Sequence, residues 1–570
     1  MVNITISQAS NKKHEGSMTE SDQSIRRPTN NLVTPLLTDL YQITMGYGYW
    51  KSGRHKEHAV FELFFRVNPF KGAYTIFAGV DEALSFIHHF KFTKEDIDYL
   101  KETPALCNCE DEFFEYLANL DCSEVCVKSV QQGTIVFPRE PLMIVSGPIL
   151  ICQLLETTLL NLVNFPSLVA TNAARLVIAA RGQFGTVKVN NQTPKCIEFG
   201  LRRAQGPDGG LSASKYCIVG GFDGTANVQA GKLFGLPISG THAHAFVQSH
   251  CDLEDVNHLT LTNKNGGKVQ LLPLVLEKRM KLGQLFGEGW LNTNKGELAA
   301  FVAYAAAFPH GFLSLVDTYD TIHSGIKNFI MVSLVLNDCG YSPIGIRLDS
   351  GDLGALSLQC REIFNDISEK LECPFFRDLT IVASDSINEK KLLSLNKNGH
   401  SITAFGIGTH LVTCQAQPAL GCVFKLVELN GKARIKFSED PIKTLIPGEK
   451  RVFRLYDENG SPQMDYMTRI DDNVPQVGIE TTCFQPFKKD PVKITPSKVD
   501  ELLIPIWDRS DGAKSRIIGL MEARESVISQ IKHLDSGLLN DENTVEYKVY
   551  LSQKLHQHLD EVQHELRVRG

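Results

Sequence analysis

The feature that most restricts the fold is a unit repeated between residues 195 and 409: a short apolar run, a polar or glycine-bearing tip, then a longer stretch of helical character. The apolar runs fall near residues 217–219, 237–239, 312–316, 344–348, 379–383 and 404–407, and each ends in Gly, Ser, Thr or Asp. Strands alternating with helices predict an α/β fold with a parallel sheet. A sheet of that kind that closes on itself gathers its polar tips at one rim, where ligands bind.

The tips carry the chemistry. Glu198-Phe-Gly-Leu-Arg-Arg-Ala-Gln-Gly-Pro-Asp-Gly-Gly210 brings Arg202 and Arg203 together with clustered glycines, and Gly240-Thr-His-Ala-His244 adds histidine. A guanidinium fork holds phosphate or carboxylate oxygens through paired hydrogen bonds, although an arginine pair also makes plain rim salt bridges. In Ile344-Gly-Ile-Arg-Leu-Asp-Ser-Gly-Asp352, an extended backbone puts Arg347 and Asp349 on one face, with Asp352 left to complete the turn. Gly406-Ile-Gly-Thr409 and Ser384-Asp-Ser386 supply backbone donors and room for a phosphate. A lone glycine pair is more often a simple turn, so its weight comes from its place at the rim. Together these parts suit a phosphorylated sugar.

Composition excludes several classes. With 570 residues, 43% hydrophobic and 22% charged, the chain is globular and long enough for more than one domain. A net charge of −7 without any basic run argues against nucleic acid as a partner. The polar segment 1–31 has no signal-peptide core and reads as a disordered tail. The most apolar run, residues 298–308, is stopped by Pro309 and is far shorter than the roughly 20 residues a bilayer span needs. No membrane association and a cytosolic location are therefore expected. Fourteen cysteines in such a chain are expected to be free thiols; Cys107, Cys109, Cys122 and Cys126 have no zinc-finger spacing. For the same compartment reason, Asn3-Ile-Thr5 and Asn191-Gln-Thr193 read as accidental sequons.

The expected domains are residues 32–165, with an extended run at 59–65 and leucines at helical spacing over 153–163; residues 166–420, the barrel; and residues 421–570. The last region contains Asn430-Gly431 and Asn459-Gly460 between apolar runs, a strong hairpin signal. It is read as a mainly antiparallel module, ending in a surface helix over the last thirty residues. The polar stretch 182–195 reads as a loop.

The chain resembles the nicotinate phosphoribosyltransferase family through Thr38-Asp-Leu-Tyr-Gln42, Phe61-Glu-Leu-Phe-Phe-Arg66, Leu168-Val-Ala-Thr-Asn-Ala-Ala-Arg175, Gly220-Gly-Phe-Asp223 and Asp317-Thr-Tyr319, besides the rim motifs above. The resemblance runs from about Leu36 to Pro462. It implies a type II phosphoribosyltransferase-like fold: an irregular parallel α/β barrel with an additional α/β domain built from N- and C-terminal segments. It also implies phosphoribosyl transfer from phosphoribosyl pyrophosphate to nicotinate, with magnesium, ATP hydrolysis coupled to turnover, and a homodimer sharing its active sites.

By the same resemblance, His244 is the histidine phosphorylated by ATP, with His242 an extra residue at a variable position. Arg202, Arg347 and Asp349 join it as catalytic residues, and Arg203 is left structural. Tyr41 stacks on the pyridine from across the dimer interface, Phe199 covers its other face, and Arg66 leans into the neighbouring anion site. Thr241, Asp317, Ser384, Asp385, Gly406, Gly408 and Thr409 bind substrate, and Asp317 and Asp349 are the candidate metal ligands.

Two alternatives stand beside this reading. A nicotinamide phosphoribosyltransferase would place a carboxylate near Gly224-Thr-Ala-Asn227 to accept the amide N–H; none occurs there, although Asp223 is adjacent. An inert nucleotide-binding or interaction relative would have no need of Arg202, His244, Arg347 and Asp349 together.

Overall fold

The computed structural model describes residues 25–183, 185–436, 445–486, 490–508, 512–513, 517–539 and 546–569. The Asn3 sequon, Phe437 and residues 1–24 of the expected tail lie outside them. From Arg26 onward the chain is held: the Thr29 N–H donates to Glu82 Oε2 at 2.8 Å, and the Arg26 carbonyl accepts from Ser85.

The chain divides into two compact units. One comprises the chain up to Ala173, the short piece Lys215–Gly221 and everything from Ala416; the other comprises Ala174–Ser214 and Phe222–Gln415. Sequence reading had put the limits at 165 and 420.

The second unit contains a six-stranded parallel sheet. In chain order its strands are β1 (Lys195–Glu198), β2 (Gly224–Thr225), β3 (Leu313–Leu315), β4 (Gly345–Leu348), β5 (Thr380–Ala383) and β6 (Ala404–Ile407), and in space they run β3-β4-β5-β6-β1-β2. Helices Ile326–Asp338, Leu353–Lys370 and Glu389–Asn398 make the crossovers between consecutive strands from β3 to β6, as parallel pairing requires. The expected type II phosphoribosyltransferase-like α/β barrel is borne out by this sheet and its helices, with no backbone ladder between β2 and β3 among the described residues. The 237–239 segment adds only a single parallel bridge, Thr225 to Ile238.

One expected strand is wrong. Residues 217–219 belong to helix Gly206–Val219, and all three are buried. A short apolar run has no periodicity that separates a buried strand from a buried helix end.

In the first unit, N- and C-terminal segments build common sheets. Strand His58–Phe65 pairs antiparallel with both Met143–Pro148 and Cys422–Leu429 inside a seven-stranded sheet. Asn430 and Gly431 turn Cys422–Leu429 into Lys432–Ala433, both at positive φ (49° and 71°), the backbone a tight hairpin needs. The second Asn-Gly hairpin joins Lys450–Tyr456 to Pro462–Arg469 in a separate six-stranded sheet, so the C-terminal region is two sheets rather than one module. Its end departs from a plain surface helix as well. Val549–Leu551 is a strand parallel to Pro462–Arg469, and helix Gln553–Arg569 buries Leu555 and Leu559.

The stretch Ile149–Arg181, 33 residues long, is apolar enough to cross a bilayer by length and composition, and 61% of its most apolar window is buried in the protein. Among the described residues it is the one helix long and apolar enough for this, and its burial is that of a core helix. None of the fourteen cysteines is joined in a disulfide.

Candidate active site

The site begins with a buried acid. Glu198, the last residue of β1, is fully buried and accepts from the Gly200 N–H, from Ser214 Oγ at 2.9 Å and from Thr225 Oγ1. Its two oxygens tie the turn after β1 to the end of β2 and to helix Gly206–Val219. The 3₁₀ turn Leu201–Arg203 that follows is consequently fixed while its arginines stay exposed.

Arg202 and Arg203 face a cavity of about 1320 Å³. Phe199 beside them and, from other segments, Thr241, His242, His244, Arg347, Asp349, Ser384, Asp385, Gly406, Gly408 and Thr409 face it too. Arg203, set down as structural from sequence, therefore shares the wall with Arg202. The volume is ample for a small metabolite together with a phosphorylated sugar.

On one wall the Arg347 guanidinium lies 5.8 Å from the Phe199 ring centroid, and Nη1 donates to Thr241 Oγ1 at 3.3 Å. Burial lowers the Arg347 pKa, opposed by Asp349 and Asp317; an arginine retains its charge through such a shift. Its Nε is buried without a hydrogen-bond partner, and Asp349 Oδ2 stands 4.0 Å from Nη2. The Phe199 ring fits only because position 406 is glycine: a Cβ there would overlap it.

The opposite charges are organised by hydroxyls. Asp349 Oδ1 accepts from Ser384 Oγ at 2.6 Å, and Asp349 Oδ2 is 3.6 Å from His244 Nε2. His244 Nδ1 is 3.0 Å from Thr318 Oγ1. Asp317 Oδ2 accepts from the Asp349 N–H at 2.8 Å and from Ser350 Oγ at 2.6 Å, while its Oδ1 is buried and unpartnered. Asp317 thus supports Asp349 from behind rather than facing the cavity itself. Asp352 caps helix Leu353–Lys370 by accepting from the Ala355 N–H at 3.1 Å, the turn role expected of it.

The Gly408-Thr409 edge opens only a four-residue turn, Thr409–Val412, so any phosphate there meets a backbone loop and not a long helix dipole. Opposite, Ser386 holds a left-handed φ of 48°, a conformation unusual outside glycine.

Tyr41 and Arg66 belong to the first unit. Tyr41 is 47% exposed on helix Leu40–Lys51, and Arg66 faces a separate cavity of about 540 Å³ whose wall includes the buried Glu62–Lys450 pair. Sequence reasoning missed Glu198, Thr318 and Ser350. Glu198 was legible only as an acid closing an apolar strand, and the two hydroxyls carried no signal of their own.

The Asp223 ambiguity is settled by geometry. Its carboxylate pairs with Arg181 and accepts from the Cys196 N–H at 2.8 Å. Ala226, not an acid, faces the cavity.

Known proteins match most of the chain. Family models match for the nicotinate phosphoribosyltransferase (NAPRTase) N-terminal domain at residues 36–164, the NAPRTase family at 194–460 and the C-terminal domain at 449–559. Nicotinate phosphoribosyltransferase 1 of Arabidopsis thaliana is 46% identical over 547 residues, covering 94% of this chain and 95% of that protein. The Homo sapiens nicotinate phosphoribosyltransferase is 41% identical over 524 residues, covering 91% and 95%. The crystal structure of human nicotinic acid phosphoribosyltransferase superposes with a TM-score of 0.82 at 37% identity, over 92% of this chain and 99% of that one. A nicotinate-nucleotide pyrophosphorylase from Pyrococcus furiosus, at 17% identity and a TM-score of 0.55, shares the fold. With all three family regions present in order and relatives matched nearly end to end, the chain belongs to the nicotinate phosphoribosyltransferase family.

Proposed function

We propose that the protein transfers the phosphoribosyl group of phosphoribosyl pyrophosphate to nicotinate, giving nicotinate mononucleotide and pyrophosphate, the first step of NAD synthesis from nicotinate. The observation that carries the reading is that Arg202, His244 and the Arg347–Asp349 strand end, from three separate chain segments, face one cavity. The pyridine nitrogen attacks the anomeric carbon while the bond to pyrophosphate breaks and its electrons leave with the pyrophosphate. Charge therefore grows on the leaving group, and fixed guanidinium groups lower the barrier. Arg202 and Arg203 serve there; Arg347, with Phe199 beside it, takes the nicotinate carboxylate, and Asp349 takes ribose hydroxyls. The Ala226 wall favours the acid over the amide, because no carboxylate stands there to repel it.

Turnover is coupled to ATP: the His244 imidazole attacks the γ-phosphorus, ADP leaves, and hydrolysis later frees the ring. Magnesium held by Asp317, Asp349 and substrate phosphates would neutralise leaving-group charge. Asp349 faces the cavity and would be the inner ligand, with Asp317 behind it, its Oδ1 unpartnered, as an outer one; water and phosphates would supply the remaining ligands. The enzyme is read as a cytosolic homodimer in which Tyr41 and Arg66 serve the neighbouring subunit's cavity.

The test is product analysis with nicotinate or nicotinamide, phosphoribosyl pyrophosphate and magnesium, with and without ATP. Nicotinate mononucleotide is expected, faster with ATP, and His244→Ala is expected to lose both phosphohistidine and ATP stimulation. Preferential use of nicotinamide would overturn the substrate assignment, and equal labelling of His244→Ala would move the phosphorylated residue elsewhere.

A further inference from the structure

β3 is an edge strand by its backbone ladder. Its links to β4 run through the Phe312 carbonyl, which accepts from the Ile344 N–H at 2.8 Å, and the Val316 N–H, which donates to the Arg347 carbonyl at 3.2 Å. Alternate residues of a strand direct their backbone groups to opposite edges, so the Leu315 N–H points away from β4. Leu315 is fully buried, and a buried donor without an acceptor costs about 1–3 kcal/mol. The acceptor is a side chain: His242 Nε2 lies 3.4 Å from the Leu315 nitrogen.

The other edge of the gap is built from backbone. The Thr225 N–H donates to the Pro237 carbonyl at 3.0 Å, and the Thr225 carbonyl accepts from the Ser239 N–H at 2.9 Å. The chain thus leaves β2 as an extra strand segment and reaches β3 through an imidazole. We propose that His242 is a positioning residue whose ring nitrogen stands in for a strand carbonyl, closing the sheet between β2 and β3 and fixing the 240–244 loop at the catalytic wall.

What the loop carries gives the contact its consequence. Thr241 accepts from Arg347, and His244 meets Thr318. The His242 ring is wedged among Tyr304, Phe246 and Phe301, with centroids 4.8, 5.5 and 6.2 Å away. Imidazole accepts at Nε2 only when that nitrogen is unprotonated. Burial pushes the His242 pKa down to about 4, against the opposing pull of the Ala243 backbone and with Arg347 and His244 adding to the lowering, and burial raises the Tyr304 pKa. Were His242 only an aromatic filler, an apolar residue of similar size would replace it without loss.

The kinetic part of the test rests on the proposed function; the exchange part does not. In the full-length protein, His242→Gln supplies an amide oxygen at similar reach and His242→Leu supplies volume alone. His242→Gln is expected to stay within about threefold of the parent in kcat and in KM for nicotinate. His242→Leu is expected to raise that KM and lower ATP stimulation, each by roughly tenfold, and to speed hydrogen exchange at the Leu315 amide by a similar factor. Unchanged kinetics and exchange in His242→Leu, or equal impairment in both variants, would reduce His242 to packing. If the parent protein forms no nicotinate mononucleotide, the functional reading fails while Leu315 exchange still decides the contact. If His242→Leu does not fold, the ring nitrogens of the parent decide by ¹⁵N NMR: a neutral Nδ1–H tautomer is expected at pH 6, and a protonated or Nε2–H ring would overturn the proposal.

Discussion

The buried ion pairs of the first unit contrast with the charges that line the second unit's cavity. In the first, Arg454 makes a two-pronged pair with Asp465 at 2.8 and 2.6 Å, both side chains nearly inaccessible, and Lys450 meets Glu62 at 2.8 Å. The carboxyl of Glu140, beside Asp465, is pushed well above the usual carboxylate range by burial and by that neighbouring charge. Lys215 is likewise matched by Asp81 at 2.6 Å and Glu82 at 2.7 Å. At the second unit's cavity Arg347 has one hydroxyl acceptor and an aspartate at 4.0 Å, while Arg202 and Arg203 are exposed on the wall. Where charge is structural its partners are built in; where it is for a ligand it is left facing the cavity, at some cost in stability.

That contrast can be broken at either end. Arg454→Ala strands Asp465 and is expected to lower stability by about 3–5 kcal/mol in denaturant titration, with normal turnover in whatever remains folded. A large catalytic loss without destabilisation would contradict the division of labour. His242 offers a pH test of nearly the same size. Its folded pKa is depressed to about 4 against a reference of 6.5, so between those values the unfolded chain binds a proton that the folded chain does not. Stability is therefore intact above about pH 6.5 and falls toward pH 4, by on the order of 3 kcal/mol at most. Melting curves of His242→Gln should be flatter across that window.

Arg347→Ala should do the reverse of Arg454→Ala: about 1.5–3 kcal/mol of lost nicotinate binding, or roughly 10- to 150-fold in KM, with stability unchanged within about 1 kcal/mol. Unchanged kinetics would remove Arg347 from the site. Thr318→Val, which keeps shape and deletes the hydroxyl at His244 Nδ1, should cost about 1 kcal/mol, seen as a roughly fivefold loss of ATP stimulation with KM for nicotinate unmoved.

The sequence was most informative where local pattern and chemistry coincide. Runs that end in charged or glycine tips located β3, β4, β5 and β6, and the tips on β1, β4, β5 and β6 do meet at one cavity. Residues 217–219 misled because three apolar residues before a glycine pair look the same in a strand or at a helix end. The partnership of His58–Phe65 with Cys422–Leu429 spans more than 350 residues of chain, a distance over which no local pattern reports. Glu198 and Thr318 stayed unseen because their roles arise only when helix, turn and loop are brought together.

The pairing of Asp223 with Arg181 constrains how ligand preference could drift. That aspartate is anchored to the scaffold by Arg181 and the Cys196 amide, so it is not free to swing round and greet an uncharged carboxamide. A switch of preference would have to import a fresh acid, and Ala226, already on the cavity wall, is a position at which one substitution would do so.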